Sequence, residues 1–432
     1  MALGIINSMV ENTPTLILHN AGQLLTLAGG PQRGRTLGSL GIIDQGAVAI
    51  RGDRILAVGE SNDLLNTYPE APRLDANGRV VMPGFVDPHT HLVWAGDRAD
   101  EFTLRLQGKS YMEILAMGGG ILSTVQATRT ATLEELIVQT RQRARYAFTH
   151  GTTTAEVKTG YGLTLDSEIT QLKAILALNR EGPLELIPTF LGAHAVPPEY
   201  HGKTDAYVDL LCEEMIPGVY AWWQEEVSQQ PLPFVDVFCE RGAFNLAQTR
   251  RILETAQDLG FRLKIHADEF ENLDGAALAA ELGAASADHL VKTSPEDIHA
   301  LSNSDTVAVS LPGTPFGLNE VEYTPAQAIL EAGALLALAT DINPGTSWCE
   351  SMQFMLALAC RKMDLTPAQA IAAATINAAA ALQLEDMIGS IEPGKQADLL
   401  ILDVNNFQHL GYRFGTNLVS QVIKQGRIYP VT

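Results

Sequence analysis

Cysteine is scarce in this chain. Four cysteines (Cys212, Cys239, Cys349 and Cys360) are spread over 432 residues, and none forms a CxxC pair. That argues against a disulfide framework and against a thiolate metal cluster. The four read as reduced, mostly buried thiols of a cytoplasmic protein. Positive charge is also short. Lys and Arg number 29 against 50 Asp and Glu, a net charge of -21. A nucleic-acid partner would want a basic face, so that class is set aside. If the substrate is an anion, a local cationic pocket must overcome this background. Long apolar runs are missing too. None approaches the ~20 residues that a membrane span needs. The N-terminal Met1–Ile6 stretch lacks a basic segment and soon meets Glu11, so no secretory signal is expected.

What remains is ordinary globular composition, 46% hydrophobic and 18% charged. The length suits a barrel plus a smaller domain. The most informative stretch is Val81-Met82-Pro83-Gly84-Phe85-Val86-Asp87-Pro88-His89-Thr90-His91. Apolar residues run into a His-x-His pair. Residues i and i+2 of a strand share a face, so two imidazoles stand side by side. That arrangement suits two ligands on one metal ion. A bare His-x-His is equally compatible with two ordinary polar residues at a strand end, and the test lies downstream.

Both chain ends have a β texture. Residues 16–19, 47–50 and 55–58 are strand-like, with Gly52-Asp53 as a hairpin signal. Residues 389–391, 397–403 and 420–429 read the same way. Neither end alone can bury a two-sided sheet. One β-sandwich-like domain from residues 1–82 plus 389–432 is expected, with residues 83–388 inserted as a catalytic domain. The insert offers eight strand candidates: Gly84–His91, Thr152–Thr159, Leu184–His194, Phe234–Glu240, Arg262–Asp268, Ala285–Leu290, Thr306–Pro312 and Leu335–Ile342. Helical segments separate them. Ser294-Pro295, Thr324-Pro325 and Thr366-Pro367 read as N-caps followed by proline, and Gly283 and Gly333 as helix ends. The Ala-rich run at 370–384 reads as a packed helix interrupted by Thr375 and Asn377. Eight β/α alternations predict a TIM (β/α)8 barrel with its chemistry at the C-terminal strand ends.

Three more strand candidates end in metal-binding residue types: His266 with Asp268-Glu269, Asp288-His289, and Asp341-Ile342-Asn343. With His89 and His91, four strands converge. His89, His91, His266 and Asp341 would form a three-His, one-carboxylate shell with room for water. A divalent metal there lowers the pKa of bound water and polarises a carbonyl. His289 would hydrogen-bond that water or the carbonyl oxygen, and Asp341 would accept the water's proton.

Pro-Gly-Phe-Val-Asp-x-His-x-His, the strand-end histidines, the last-strand Asp and Gly389-x-Ile-x-x-Gly-Lys-x-Ala-Asp-Leu399 resemble the metal-dependent amidohydrolase superfamily. Many binuclear members carry a carboxylated Lys at the end of strand four. Phe238-Cys239-Glu240 has none, so one metal is expected. The segments at 89–98, 118–121, 156–163, 189–194 and 341–346 resemble, more narrowly, the imidazolonepropionase family, over nearly the whole chain. That resemblance implies hydrolytic opening of 4-imidazolone-5-propanoate to N-formimidoyl-L-glutamate in histidine degradation. It implies one Zn or Fe on His89, His91, His266 and Asp341. Arg98, Tyr111, Tyr161 and His194 would face the substrate, and Glu269 its ring nitrogen. Asn343, Gly345 and Thr346 would line the same pocket, and the chain could assemble as a homodimer. Chemically, a propanoate tail needs a bidentate cation, which Arg98 supplies. Glu269 can accept from a ring N–H or pass a proton to the leaving nitrogen.

Plainer readings stand beside these. Arg98 could be an ion-pair partner of Asp97 or Asp100, and Tyr161 a loop anchor among glycines. The Gly118–Gly120 run lacks a P-loop Lys-Ser/Thr and suits loop packing. Met112, Met117, Met352 and Met355 read as core. His19, His150, His201, His299 and His409 have no convergent partners and no assigned role. A purine or pyrimidine deaminase would share the metal shell but has no carboxylate for Arg98 to hold. A non-catalytic scaffold would need to have lost ligands that are all present here.

Overall fold

The computed structural model describes residues 13–109, 113 and 119–431. Five strands come first: β1 (Leu16–Leu25), β2 (Ile42–Arg51), β3 (Arg54–Glu60), β4 (Arg73–Asp75) and β5 (Val80–Pro83). Eight follow in the centre: β6 (Phe85–Asp87), β7 (Thr152–Lys158), β8 (Glu185–Ala193), β9 (Phe234–Cys239), β10 (Arg262–Ala267), β11 (Ser286–His289), β12 (Val307–Ser310) and β13 (Leu336–Leu338). Three close the chain: β14 (Leu399–Leu402), β15 (Val419–Lys424) and β16 (Arg427–Pro430).

The two chain ends share one sheet, in the order β16-β15-β14-β5-β1-β2-β3, with β4 beside β1. The join is the antiparallel β14·β5 pair, where Leu400 faces Met82. The expected turn at Gly52-Asp53 closes β2 onto β3, with Arg51 opposite Arg54. Alternation along β5 and β14 explains why both are apolar throughout. Val80, Met82, Leu400 and Leu402 belong to the large core shared with the central strands. Val81, Leu399 and Ile401 face the opposite way, into a separate core with Leu18, Leu24, Val48 and Ile423. Successive strand residues point to opposite faces, so a sheet covered on both sides needs apolar residues at every position.

All eight expected central strands form, each parallel to its neighbour, from β6 through to β13, and make a nearly closed TIM-like barrel. The first ends at Asp87, so His89 and His91 lie on irregular backbone beyond it and not on the expected strand face. The ladder does not join β13 to β6. Backbone just beyond the two strands closes the seam. Asp341 N–H donates to the His89 carbonyl at 3.1 Å, and His91 N–H to the Ile342 carbonyl at 2.9 Å. The Asp87 carboxylate takes the Thr340 amide at 3.1 Å and its hydroxyl at 2.5 Å. The seam therefore holds His89, His91 and Asp341 against one another.

Local signals mostly act where they were read. Ser294 and Thr366 form capping boxes with Asp297 and Gln369. Gly283 and Gly333 follow their helices with positive φ. The Ala-rich run splits at Thr375 into helices Pro367–Ala373 and Ile376–Ala380. Thr324 departs from its expected capping role. Helix Ala326–Glu331 starts from Pro325 with no side-chain cap. The Thr324 hydroxyl instead accepts from Ser310 at 2.8 Å and donates to the His289 carbonyl at 2.7 Å. A buried carbonyl behind the site outcompetes an exposed helix end, because its unmet hydrogen bond would cost more. Met352 and Met355 are fully buried, whereas Met112 and Met117 lie outside the described residues. The cysteines are free, Cys212 and Cys239 buried, Cys349 and Cys360 partly so. No described helix is long and apolar enough to cross a membrane.

Candidate metal centre and substrate pocket

Four side-chain donors meet at the barrel seam. His89 Nε2 lies 3.3 Å from His91 Nε2, and His266 Nε2 lies 3.4 Å from His91 Nε2. Asp341 Oδ1 is 3.5 Å from both His89 Nε2 and His91 Nε2. Two donors about 2.1 Å from a common ion at a tetrahedral angle lie about 3.4 Å apart. His89, His91 and Asp341 therefore fit one divalent ion, with His266 beside His91; His266 also groups with His91 and His194, and with His89 and His289. Burial holds His89 and His91 well below the usual imidazole range, so both are neutral, the form that ligates. Burial pushes Asp341 up to about 6, against a hydrogen bond from Thr314. Asp341 leaves its strand with φ 51° and His289 with φ 80°. Such conformations cost a non-glycine residue roughly 1–3 kcal/mol and gather at functional sites.

Below the donors sits a charge cluster that strand patterning did not reveal. His89 Nδ1 is 2.6 Å from Asp288 Oδ2, and His266 Nδ1 is 2.9 Å from Asp236 Oδ2. A carboxylate on the outer nitrogen fixes tautomer and ring orientation. Lys158 Nζ donates to Glu156 Oε1 and Asp236 Oδ2, both at 2.7 Å. Lys264 Nζ donates to the Pro88 carbonyl at 2.7 Å and lies 3.2 Å from Glu156 Oε2. All five charged residues are buried. Burial would lower the Lys158 ammonium, but Asp236, Glu156 and Asp288 outweigh it and raise it. The only sequence signal was a charged residue at alternate positions of an otherwise strand-like run. That pattern normally marks a solvent-facing edge. In a closed barrel it marks the lumen.

His289 and Glu269 sit together beside the donors. His289 Nε2 is 3.6 Å from Glu269 Oε2, and the His289 and His266 ring centroids are 5.3 Å apart. His289 Nδ1 is buried without a hydrogen-bond partner among the described residues. Burial lowers His289 well below its usual range, leaving a neutral ring. Burial and the neighbouring Asp341, Glu240 and Glu320 carboxylates raise Glu269 well above its usual range. That shift favours the protonated form of Glu269.

On the opposite side, His194 stacks on His91, centroids 4.9 Å apart and planes at 15°. Tyr161 lies 5.3 Å from His194. Burial keeps His194 down to about 3 and raises the Tyr161 hydroxyl, so both are neutral. The Tyr161 loop is held by Glu168, missed in the sequence, which accepts the Gly160, Gly162 and Leu163 amides at 2.7–2.9 Å. Gly160 has φ +107°, and a Cβ there would stand 2.9 Å from His194 Nδ1.

Arg98 pairs with neither Asp97 nor Asp100. Its Nε donates to Glu101 Oε2 at 2.8 Å. Its guanidinium lies over Gly345, where a Cβ would come 2.3 Å from Nη1. Arg105, one helical face along, donates to the Gly345 carbonyl at 3.0 Å. Asn343 organises this loop. Its Oδ1 accepts the Gly345 and Thr346 amides at 2.8 Å, and its Nδ2 donates to the Asp341 carbonyl and the Thr346 hydroxyl. Tyr111 lies outside the described residues.

The amidohydrolase family pattern matches residues 80–429, and an imidazolonepropionase-like composite domain of bacteria matches residues 46–71. The chain is 52% identical to an imidazolonepropionase of Herpetosiphon aurantiacus, over 95% of this chain and 96% of that one. It is 50% identical to an imidazolonepropionase of Symbiobacterium thermophilum, over 96% of each. Among solved structures, a Xanthomonas campestris adenosine deaminase with bound zinc overlays with a TM-score of 0.70 at 19% identity, covering 97% of this chain and 94% of that one. Escherichia coli guanine deaminase gives 0.69 at 17%, covering 96% and 99%. Those two likenesses concern the fold. The extent and identity of the sequence matches place this chain in the metal-dependent amidohydrolase family, among the imidazolonepropionases.

Proposed function

We propose that the protein hydrolyses 4-imidazolone-5-propanoate to N-formimidoyl-L-glutamate, the third step of L-histidine degradation. The observation that carries this is identity of 44–52% to imidazolonepropionases along about 95% of the chain. The deaminase reading loses ground because its support is fold likeness below 20% identity.

His89, His91, His266 and Asp341 would hold a single Zn or Fe ion. Such an ion, when bound, activates water and polarises a carbonyl. The rest belongs to the chain's own groups. Arg98 takes the propanoate through its Nη edge, which makes no hydrogen bond among the described residues, and Tyr161 and His194, both neutral, flank the ring without repelling it. Asn343, Gly345 and Thr346 shape the loop against which the tail rests. Asp341 accepts a proton from the attacking water as its oxygen bonds to the ring carbonyl carbon. His289 donates its single N–H to the developing oxyanion, where preorganised donors contribute most. The ring C–N bond then breaks, and Glu269, acting from its protonated form, gives its proton to the departing nitrogen. Asp341 returns its proton to Glu269, so protons balance over one turnover. The test is loss of imidazolone absorbance on adding the protein, with and without a chelator. No loss with fully metal-loaded protein would overturn the assignment.

A further inference from the structure

Helix Ala99–Leu106 begins immediately after Arg98, and helix Ile121–Thr130 begins immediately after Gly120. One carboxylate ties both starts together. Glu101 Oε2 accepts Arg98 Nε at 2.8 Å. Glu101 Oε1 accepts the Gly120 amide at 2.9 Å and lies 3.3 Å from the Ser123 hydroxyl, a donor to it. The side chains of Arg98 and Glu101 are 14% and 13% exposed, so the pair is shielded from water. Helix Ile121–Thr130 has no side-chain cap from its own N-cap residue, Gly120. A carboxylate at that position meets an unpaired helix amide and the positive end of the helix.

This clasp has a directional consequence. A guanidinium carries five donors in a fixed fork. Glu101 takes Nε and leaves Nη1 and Nη2 without a hydrogen-bond partner among the described residues. The opposite wall is Gly345, whose bare Cα lets Nη1 approach. Arg98 is thus held from behind by Glu101 and limited in front by the Gly345 backbone, itself anchored by Arg105. A side chain with four rotatable bonds is fixed before any ligand arrives, which removes ordering cost from binding.

We propose that Glu101 is the positioning residue that aims Arg98 at the substrate's carboxylate, and so sets the preference for an acid-tailed over a neutral-tailed imidazolone. This rests on the reading of Arg98 as the carboxylate anchor. The two parts separate experimentally. Steady-state constants are measured for the propanoate substrate and for its propanamide, with wild type, Arg98→Ala, Glu101→Gln, Glu101→Asp and Ser123→Ala, each metal-loaded and checked for folding by melting. Glu101→Gln cannot accept from both donors through both ends. Glu101→Asp keeps the charge but is one methylene too short to span both partners.

A charge-assisted hydrogen bond contributes roughly 1.5–3 kcal/mol, equivalent to about ten- to a hundredfold. Glu101→Gln should raise KM for the propanoate by about that factor, leave its kcat nearly unchanged, and leave the propanamide constants alone. Glu101→Asp should move the same way, and it decides the matter if Glu101→Gln does not fold. Ser123→Ala should leave the acid-to-amide ratio unchanged. If Glu101 only caps helix Ile121–Thr130, its variants will melt earlier with an intact ratio. That result, together with a collapsed ratio in Arg98→Ala, overturns the proposal while sparing the Arg98 reading. An intact ratio in Arg98→Ala overturns both.

Discussion

Lys158→Met tests whether the buried charge cluster supports the metal centre. Lys158 Nζ lies 2.7 Å from Glu156 Oε1, 2.7 Å from Asp236 Oδ2 and 3.6 Å from Asp288 Oδ2. Two ammonium groups and three carboxylates leave the cluster at -1 (2 minus 3), and Lys158→Met takes it to -2 (1 minus 3). At an effective dielectric of about 20, each 2.7 Å contact is a gross attraction of about 6 kcal/mol. Desolvation of the ammonium offsets much of it, and removing one partner of a buried pair nets a loss of about 3–5 kcal/mol. That is a large part of a typical stability of about 5–15 kcal/mol. The change would also reach the ligands. Asp236 and Asp288 lose the cation that holds them against His266 and His89. Loss of such an outer partner costs about 10- to 100-fold in metal affinity. The assay is chelator competition on the folded fraction, alongside melting with and without saturating zinc. The expected result is an earlier melt and a zinc affinity at least tenfold weaker, by the same outer-partner range. A folded Lys158→Met protein with unchanged zinc affinity would refute the reasoning.

Three further outcomes follow from the site. Elemental analysis should find one metal per active chain, since His89, His91 and Asp341 can share one ion, His266 stands 3.4 Å from His91, and strand four brings no Lys; two tightly held ions would contradict it. His289→Asn should keep its metal and melt normally yet lose much of kcat, whereas Asp341→Asn should lose both metal and turnover, and metal content, melting and kcat on one preparation distinguish these from a merely structural His289. Gly345→Ala should raise KM for the propanoate, because its Cβ would stand 2.3 Å from Arg98 Nη1; overpacking of this kind costs roughly 1–3 kcal/mol, and an unchanged KM would show that Arg98 can move aside freely.

What could be read from the amino-acid order was whatever depends on neighbours along the chain. Strand runs, the Gly52-Asp53 turn and the capping boxes at Ser294 and Thr366 are set within a few residues. Their energies do not await the barrel. The alternation rule paired His89 with His91, though β6 ends at Asp87 and both histidines lie on the backbone just beyond it. Strand-end His266, His289 and Asp341 could be grouped because a parallel barrel gathers the C-terminal ends of its strands.

Tertiary structure decided the pairings between distant residues. Asp288 lies 199 positions from His89, and Asp236 lies 30 from His266. No periodicity links such positions. Glu156, Lys158 and Lys264 are charged positions in strand segments, and whether a strand face meets water or a closed lumen depends on all eight strands. Glu101 is of the same kind. Next to Arg98 it reads as one of several acids on a charged helix start. Only the approach of Gly120 makes it the group that holds two helices and one guanidinium. Charge partners are chosen by where the folded backbone brings them, and burial then makes those partners strong.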